Sequence, residues 1–577
     1  MSGPLHEAAG EEPSRDHAGH VPGLTPTVTG MNAIGAVVVL LMAVLVNVDV
    51  IGRWLFNAPL DGAVELTEMG IVAIVYLQLA HAIAVGRLTR SEMLLDITER
   101  RTPRLNLVLR TVFNLMGAFV LAVIAYGQLP RLVSAWENGF YKGNPGIFQA
   151  PTWPLEAILL VGAVFGIAIL RGDPAIAVHL LTLAAADSIA SQTFAVIPLF
   201  VLMGLIMSAS NVGRDAYDVA DHFLRHIRGG LGLATVTSNA VFAAVTGVSI
   251  AAAAVFTRVA VPEMLRLGYH PRFAVGVVAG SSVLGMLIPP SILLIIYAIL
   301  TEQSIGMMFY AGIGPGILLS GVYCAGIIGM AYLVPRFVYD LDGRFSDTHS
   351  AEPGPRLTPG ELVRKAGPLL LLITIVLGGI YGGVFTPTEA GAVGSLAALV
   401  IAVARRSLTL RGFWNVLLET GHITASVCFL IIAATMYSRA LTVAGVPFWL
   451  SGLVSGGDDS FLMVMLIYIA VILLLGTIID SVSIILIMVP LFLPILHGMG
   501  ADIVWFGIIT IISVEIGLLT PPLGMACFVI KGSLPDERIK LGDIFAGAAP
   551  FAAMMLFVVA LLVSFPDLVY IGRWFGM

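Results

Sequence analysis

Gly285-Met286-Leu287-Ile288-Pro289-Pro290-Ser291 and, 232 positions later, Gly517-Leu518-Leu519-Thr520-Pro521-Pro522-Leu523-Gly524 each set a proline pair inside an apolar stretch long enough to cross a bilayer. Proline in a helix interior removes a backbone hydrogen bond and clashes with the preceding turn. Two in succession, a few residues after a glycine (Gly285, Gly517), predict a broken helix. In hydrocarbon the freed carbonyls need new partners. Helices broken at matching places in two halves of a chain are how many secondary transporters build a site for substrate and coupling ion.

Working outward, the whole chain is membrane-like. Of its 577 residues 58% are hydrophobic and 11% charged, against roughly 25% charged in soluble proteins. The fold class predicted is an all-α polytopic membrane protein. A net charge of −6 gives no reason to expect a nucleic-acid partner. Cys324, Cys428 and Cys527 lie in apolar spans and read as small buried hydrophobes. No disulfide framework, zinc spacing or cofactor motif is present. Residues 1–30 are polar and read as a disordered cytoplasmic tail, in which His6, His17 and His20 fit no metal-site spacing. The apolar run that follows lacks a small-residue cleavage signal and is expected to be retained as a span.

Spans are expected at about 33–52, 63–86, 107–127 and 153–170, followed by a short apolar run at 175–187. Beyond it lie a span at 192–211 and an amphipathic interfacial stretch at 214–228. Residues 231–265 are apolar but interrupted at Thr246-Gly247-Val248-Ser249, and residues 460–497 at Gly476 to Ser483. Half-segments of this length are marginal for a full crossing, so each is read as a re-entrant helical hairpin. The proline-broken spans are 273–302 and 503–532. Unbroken spans fill 308–335, 366–385, 387–404, 419–442 and 543–565. Basic clusters at 87–110, 214–228, 336–365, 405–411 and 531–540 all fall on the cytoplasmic side by the positive-inside rule. The hairpins then enter from opposite faces, and five crossings separate the two copies, as an inverted repeat requires. At the offset of 232, Ser249/Ser481, Pro262/Pro494, Ser281/Ser513, Gly285/Gly517 and both prolines coincide.

The candidate ion and substrate site gathers around the two hairpin tips and the two breaks. It comprises Ser238, Asn239, Thr246 and Ser249 in the first copy, with Ser291 after its break, and Asp480, Ser481 and Ser483 in the second, with Thr520 at its break. A hard cation such as sodium takes several oxygens, which hydroxyls and unwound carbonyls supply, while half-helix N-termini face anionic groups. Small residues at these places also serve close helix packing. Asp480, an acid inside a span-length apolar segment, reads as an ion ligand, a proton carrier or a hairpin-tip cap. Arg258 either pairs a substrate carboxylate or snorkels to the surface. Glu389, in Thr386-Pro387-Thr388-Glu389-Ala390, reads as the favourable N-terminal charge of a helix.

Residues from about 195 to 565 resemble the large membrane subunit of the tripartite ATP-independent periplasmic (TRAP) transporters. The resemblance rests on Ile197-Pro198-Leu199-Phe200 with Gly204, Pro262-Glu263-Met264, Leu287 to Ser291, Ser304-Ile305-Gly306, Pro315-Gly316, Thr386 to Ala390 and Gly517 to Pro522. The first part resembles the family's small subunit through Arg53-Trp54-Leu55-Phe56-Asn57, Pro59, Glu65 and Glu68. The division expected is 1–30 tail, 31–172 small-subunit-like four-helix domain, and 173–577 large-subunit-like transport and scaffold domain. Where the family often has a Ser-Gly-Ser tip, this chain has Thr246 to Ser249.

The resemblance implies a non-enzymatic permease of the bacterial inner membrane. It implies import of a small organic carboxylate with sodium as coupling ion and no other cofactor. It further implies delivery by a periplasmic substrate-binding protein, an elevator movement of hairpins and broken helices, and sodium near Ser249, Ser291, Asp480 and Thr520. Membrane lipid, the binding protein and the organic acid are the partners expected. A stand-alone sodium–carboxylate carrier and an intramembrane enzyme are the alternatives, the latter without a nucleophile–base pair or metal motif to support it.

Overall fold

Proline, glycine and helix caps cut the apolar sequence into the elements seen in the computed structural model. It describes residues 25–84, short stretches between 106 and 158, and residues 191–340, 357–443, 459–522, 524–534 and 538–575. The expected spans at 107–127 and 153–170, the run at 175–187 and residues 1–24 of the expected tail lie wholly or largely outside the described residues.

Helix α1 (Thr25–Phe56) is packed against α2 (Ala63–Ala84). It begins inside the segment expected to be a tail, because Val28, Met31 and Asn32 are buried and extend the packed stripe past the apolar run. Helix α3 (Val196–Ala209) is followed by α4 (Val212–Leu224), whose charged and apolar faces alternate at helical spacing. The first hairpin is α5 (Gly230–Thr246) and α6 (Ser249–Arg266). The first broken helix is α7 (Pro271–Ser282, continued by the turn Leu284–Leu287) and α8 (Ile292–Leu300), bent by 41° at the break. Then come α9 (Ile305–Leu333), α10 (Pro359–Ile373), α11 (Pro387–Ala404) and α12 (Leu410–Val443). The second hairpin is α13 (Asp459–Gly476) and α14 (Ser481–Gly498), and the second broken helix is α15 (Ile503–Gly517) and α16 (Met525–Ser533). Helix α17 (Leu541–Ser564) ends in a 3-10 segment, Pro566–Phe575, that the sequence reading did not anticipate. Among the described residues eight helices are long and apolar enough to cross a membrane, or nine with the bent pair taken as one. Among the described residues, a two-residue antiparallel ladder, Tyr141–Lys142 with Ala150–Pro151, and an isolated antiparallel bridge, Tyr269 with Tyr339, add to the helices.

Side-chain contacts assign ends. Arg405 pairs with Asp215 and donates to the Arg364 carbonyl at 2.6 Å, and Lys365 pairs with Asp218. The basic clusters of α4, α10 and the α11–α12 turn therefore meet at one face, as the charge rule required. The base of the first hairpin lies near one end of α17, where Arg272 pairs with Asp543 at 2.8 Å. The base of the second lies at the other end, where the Trp505 indole donates to the Leu562 carbonyl at 2.9 Å and Tyr570 donates to Asp502. Helix α17 has 24 residues, about 36 Å at ~1.5 Å per residue. The two hairpins thus point toward one another from opposite ends.

Helices α1 and α2 join the rest through a polar seam. The Asn47 amide donates to the Ala392 carbonyl at 2.8 Å, His81 and His422 share a hydrogen bond of 2.9 Å, and Arg53 pairs with Glu389. Glu389 also completes a capping box with Thr386 at the start of α11, so the helix-start role read from the sequence holds and the ion pair adds to it.

Candidate functional site

The first tip turns on Gly247, whose φ of +63° is left-handed. A Cβ there would stand 2.4 Å from the Pro290 carbonyl oxygen. Glycine alone takes this conformation at this approach without strain. The Gly247 carbonyl accepts the Ile292 N–H at 3.4 Å, joining tip to break through main chain.

The breaks solve the same deficit by the same means. Pro290 has no N–H for the carbonyl of Met286, four residues back. The Ser291 hydroxyl donates to that carbonyl instead, and its oxygen caps α8 by accepting the Leu294 N–H at 3.4 Å. Pro521 likewise cannot serve the Gly517 carbonyl, which accepts from the N–H and the hydroxyl of Thr520 at 3.0 and 2.9 Å. Both proline–proline bonds, Pro289–Pro290 and Pro521–Pro522, are cis. The remaining break residues pack backbone on backbone. Gly285 faces the main chain of Val248 and Ser249, and Gly517 lies on Gly476, where a Cβ would come within 2.5 Å of the Gly476 Cα.

Between the tips lies Glu515, on α15 two residues before Gly517. It is 1% exposed. Its Oε1 accepts the Ser481 hydroxyl at 2.8 Å, Ser249 lies beside the same carboxylate, and Oε2 has no protein donor. One serine from each hairpin tip therefore meets a single buried carboxylate. The structure brings Ser249 and Ser481 together at this point. It keeps Ser291 and Thr520 at the breaks, with their protons given to backbone carbonyls and lone pairs left over.

Other candidates are differently employed. Asp480 caps α14: Oδ2 accepts the Ser483 N–H at 3.0 Å and Oδ1 accepts the Ser483 hydroxyl at 2.6 Å. Of the three roles read from the sequence, the tip cap is the one its contacts display. The Thr246 hydroxyl donates to the Phe242 carbonyl at 3.0 Å. Ser238 and Asn239 lie about two turns, roughly 11 Å, below the tip. The Ser238 hydroxyl bonds its own helix, whereas the Asn239 amide reaches Ser281 on α7 at 2.6 Å and leaves its Oδ1 unpartnered. Arg258 is exposed, as snorkelling requires. Sequence reasoning missed Glu515, although a lone acid inside the apolar run Ile503–Gly517 was a signal in plain view.

A second feature lies away from the tips. A cleft of about 770 Å³ opens where the α1–α2 turn, the start of α3, the α8–α9 turn and the start of α11 meet. Asp49, Asp61, Glu65 and Glu389 line it around Arg53, whose guanidinium bridges Asp49 at 2.8 Å and Glu389. It sits at the end of the molecule opposite the basic clusters.

With this geometry in place, comparison with known proteins is informative. Residues 147–568 match the model of the tripartite ATP-independent periplasmic transporter, DctM component, and residues 42–173 that of the DctQ component. The C4-dicarboxylate TRAP transporter large permease protein DctM of Pseudomonas aeruginosa is 36% identical over 391 residues, covering 67% of this chain and 87% of that protein. The sialic acid TRAP transporter large permease protein SiaM of Vibrio cholerae is 32% identical, covering 65% and 84%. The isethionate TRAP transporter permease protein DctMQ of Oleidesulfovibrio alaskensis is 31% identical, covering 66% and 58%. These relatives are transporter permeases, which sets aside the intramembrane-enzyme alternative. A multi-pass helical membrane protein with hairpins, broken helices and matches to both membrane components in one polypeptide belongs to the tripartite ATP-independent periplasmic transporter family, as a fused permease.

Proposed function

We propose that this permease imports a small organic carboxylate across the bacterial inner membrane, driven by sodium and supplied by a periplasmic substrate-binding protein. The observation that carries the reading is the meeting of both hairpin tips, through Ser249 and Ser481, at one buried carboxylate of the second broken helix, while the first break packs on the first tip. The opposed hairpins and the coincidences at offset 232 support an inverted repeat. In such folds half-helix N-termini face anionic groups and unwound carbonyls face cations. The N-terminus of α8, capped by Ser291, offers the first. The hydroxyls of Ser249, Ser481 and Thr520, which keep lone pairs, together with the carbonyls at the breaks, offer the second.

Hairpins and broken helices are the moving body of an elevator in this reading, and α1, α2, α11 and α12 belong to the scaffold. The acidic cleft around Arg53 lies on the periplasmic face, where the binding protein arrives. The permease is reconstituted in proteoliposomes with its binding protein and a labelled acid, under an inward sodium gradient. Uptake is expected to vanish when potassium replaces sodium, and to require the binding protein. Equal uptake in potassium removes sodium coupling, and uptake without the partner favours a stand-alone carrier.

A further inference from the structure

The two acids near the tips are in opposite states. Asp480 has both oxygens engaged by Ser483. Glu515 has one oxygen held by Ser481 and the other open, in a residue that is 1% exposed. No ion pair reaches Glu515 among the described residues. The polar side chains beside it are the hydroxyls of Ser481 and Ser249 at the two tips. An ionised carboxylate out of water is costly unless an opposite charge stands beside it. Among the described residues, hydroxyl oxygens stand beside this acid and no cationic side chain pairs with it.

We infer that Glu515 is a ligand of the coupling cation and, by holding Ser249 and Ser481 to the same ion, links its binding to the closure of both hairpin tips. The inference deepens the sodium-coupled reading and rests on it. A hard cation between the open Oε2 and the tip hydroxyls satisfies the carboxylate by charge and the hydroxyls by their lone pairs. Without it the second tip keeps its side-chain bond to Glu515, while the first is held through main chain, by the Gly247 to Ile292 hydrogen bond and by packing on Gly285 and Pro290. At offset 232 the first copy has Val283 in the place of Glu515, so the repeat supplies no second carboxylate at the equivalent position.

The test uses the purified full chain in detergent and follows thermal unfolding as sodium chloride replaces choline chloride at constant ionic strength. Wild type is expected to be stabilised by sodium in a saturable manner. Glu515→Gln, nearly isosteric, is expected to unfold in choline close to wild type but to need at least about tenfold more sodium for the same stabilisation, the ratio lost with about 1.4 kcal/mol of binding. An unchanged sodium midpoint in E515Q overturns the inference. No sodium-specific stabilisation of wild type overturns the sodium reading itself, which separates the two failures. If E515Q does not fold, Glu515→Asp serves: it retracts the carboxylate by one methylene, and an unchanged midpoint there likewise overturns the inference.

Discussion

The two proline-broken helices share a backbone device and differ in nearly everything attached to it. At the first, Pro289, Pro290 and Ser291 are buried, and the tip that packs on them is Gly247, a residue without a side chain. At the second, Pro521 and Pro522 are exposed, Thr520 is half-buried, and the facing hairpin starts its return limb from Asp480. In both, a neighbouring hydroxyl replaces the proline's missing N–H. The first copy is a close-packed joint and the second carries the charge. Breaking a helix needs the same repair anywhere in hydrocarbon, but the liganding chemistry has to be supplied only once.

The largest expected effect tests the packed joint. Gly247→Ala forces a side chain into a left-handed position and onto the Pro290 carbonyl, and should cost about 3 kcal/mol in thermal stability. The residue 232 positions on is Ile479, which already carries a side chain, so Ile479→Ala should cost less than half as much. Equal losses would mean that the two tips are packed alike and would break the comparison.

Glycine contacts sharpen it in the opposite direction. Gly517 and Gly476 approach so closely that a Cβ meets backbone at 2.5 Å, whereas a Cβ on Gly285 meets nothing closer than 3.2 Å. Gly517→Ala should therefore lower stability by about 2 kcal/mol and Gly285→Ala by less than about 1. The measurement is the unfolding midpoint of each variant, and the order of the two is what matters.

How much of this was legible in the sequence follows from what each feature needs. The breaks, the hairpins and most helix limits are local: proline removes a donor at its own position, and Gly247 or Gly476 marks a turn within a few residues. The limbs read as 231–265 and 460–497 emerge as Gly230–Arg266 and Asp459–Gly498. The basic clusters are local too, and their meeting at one face follows from counting crossings. Glu515 was not legible as a partner of two serines, because Ser249 lies 266 residues away and a single acid in an apolar helix names no contact. The pairing of Arg53 with Glu389 likewise depends on how α1 lies on α11. For Asp480 an acid in an apolar segment left three roles open, ion ligand, proton carrier or tip cap, and its spacing to Ser483 matches the cap.

That spacing gives the smallest effect. Asp480→Ala removes the cap of α14 and should cost about 1 kcal/mol, the usual value for a lost N-cap, while Asp480→Asn keeps an acceptor and should cost about half of that. Because both Asp480 oxygens are occupied within its own turn, neither variant should move the sodium midpoint by more than about threefold, less than 0.7 kcal/mol. A shift as large as that expected for E515Q would make Asp480 a direct participant in ion binding. The second copy would then hold two liganding acids, and the division between a packed joint and a charged one would rest on both of them instead of on Glu515 alone.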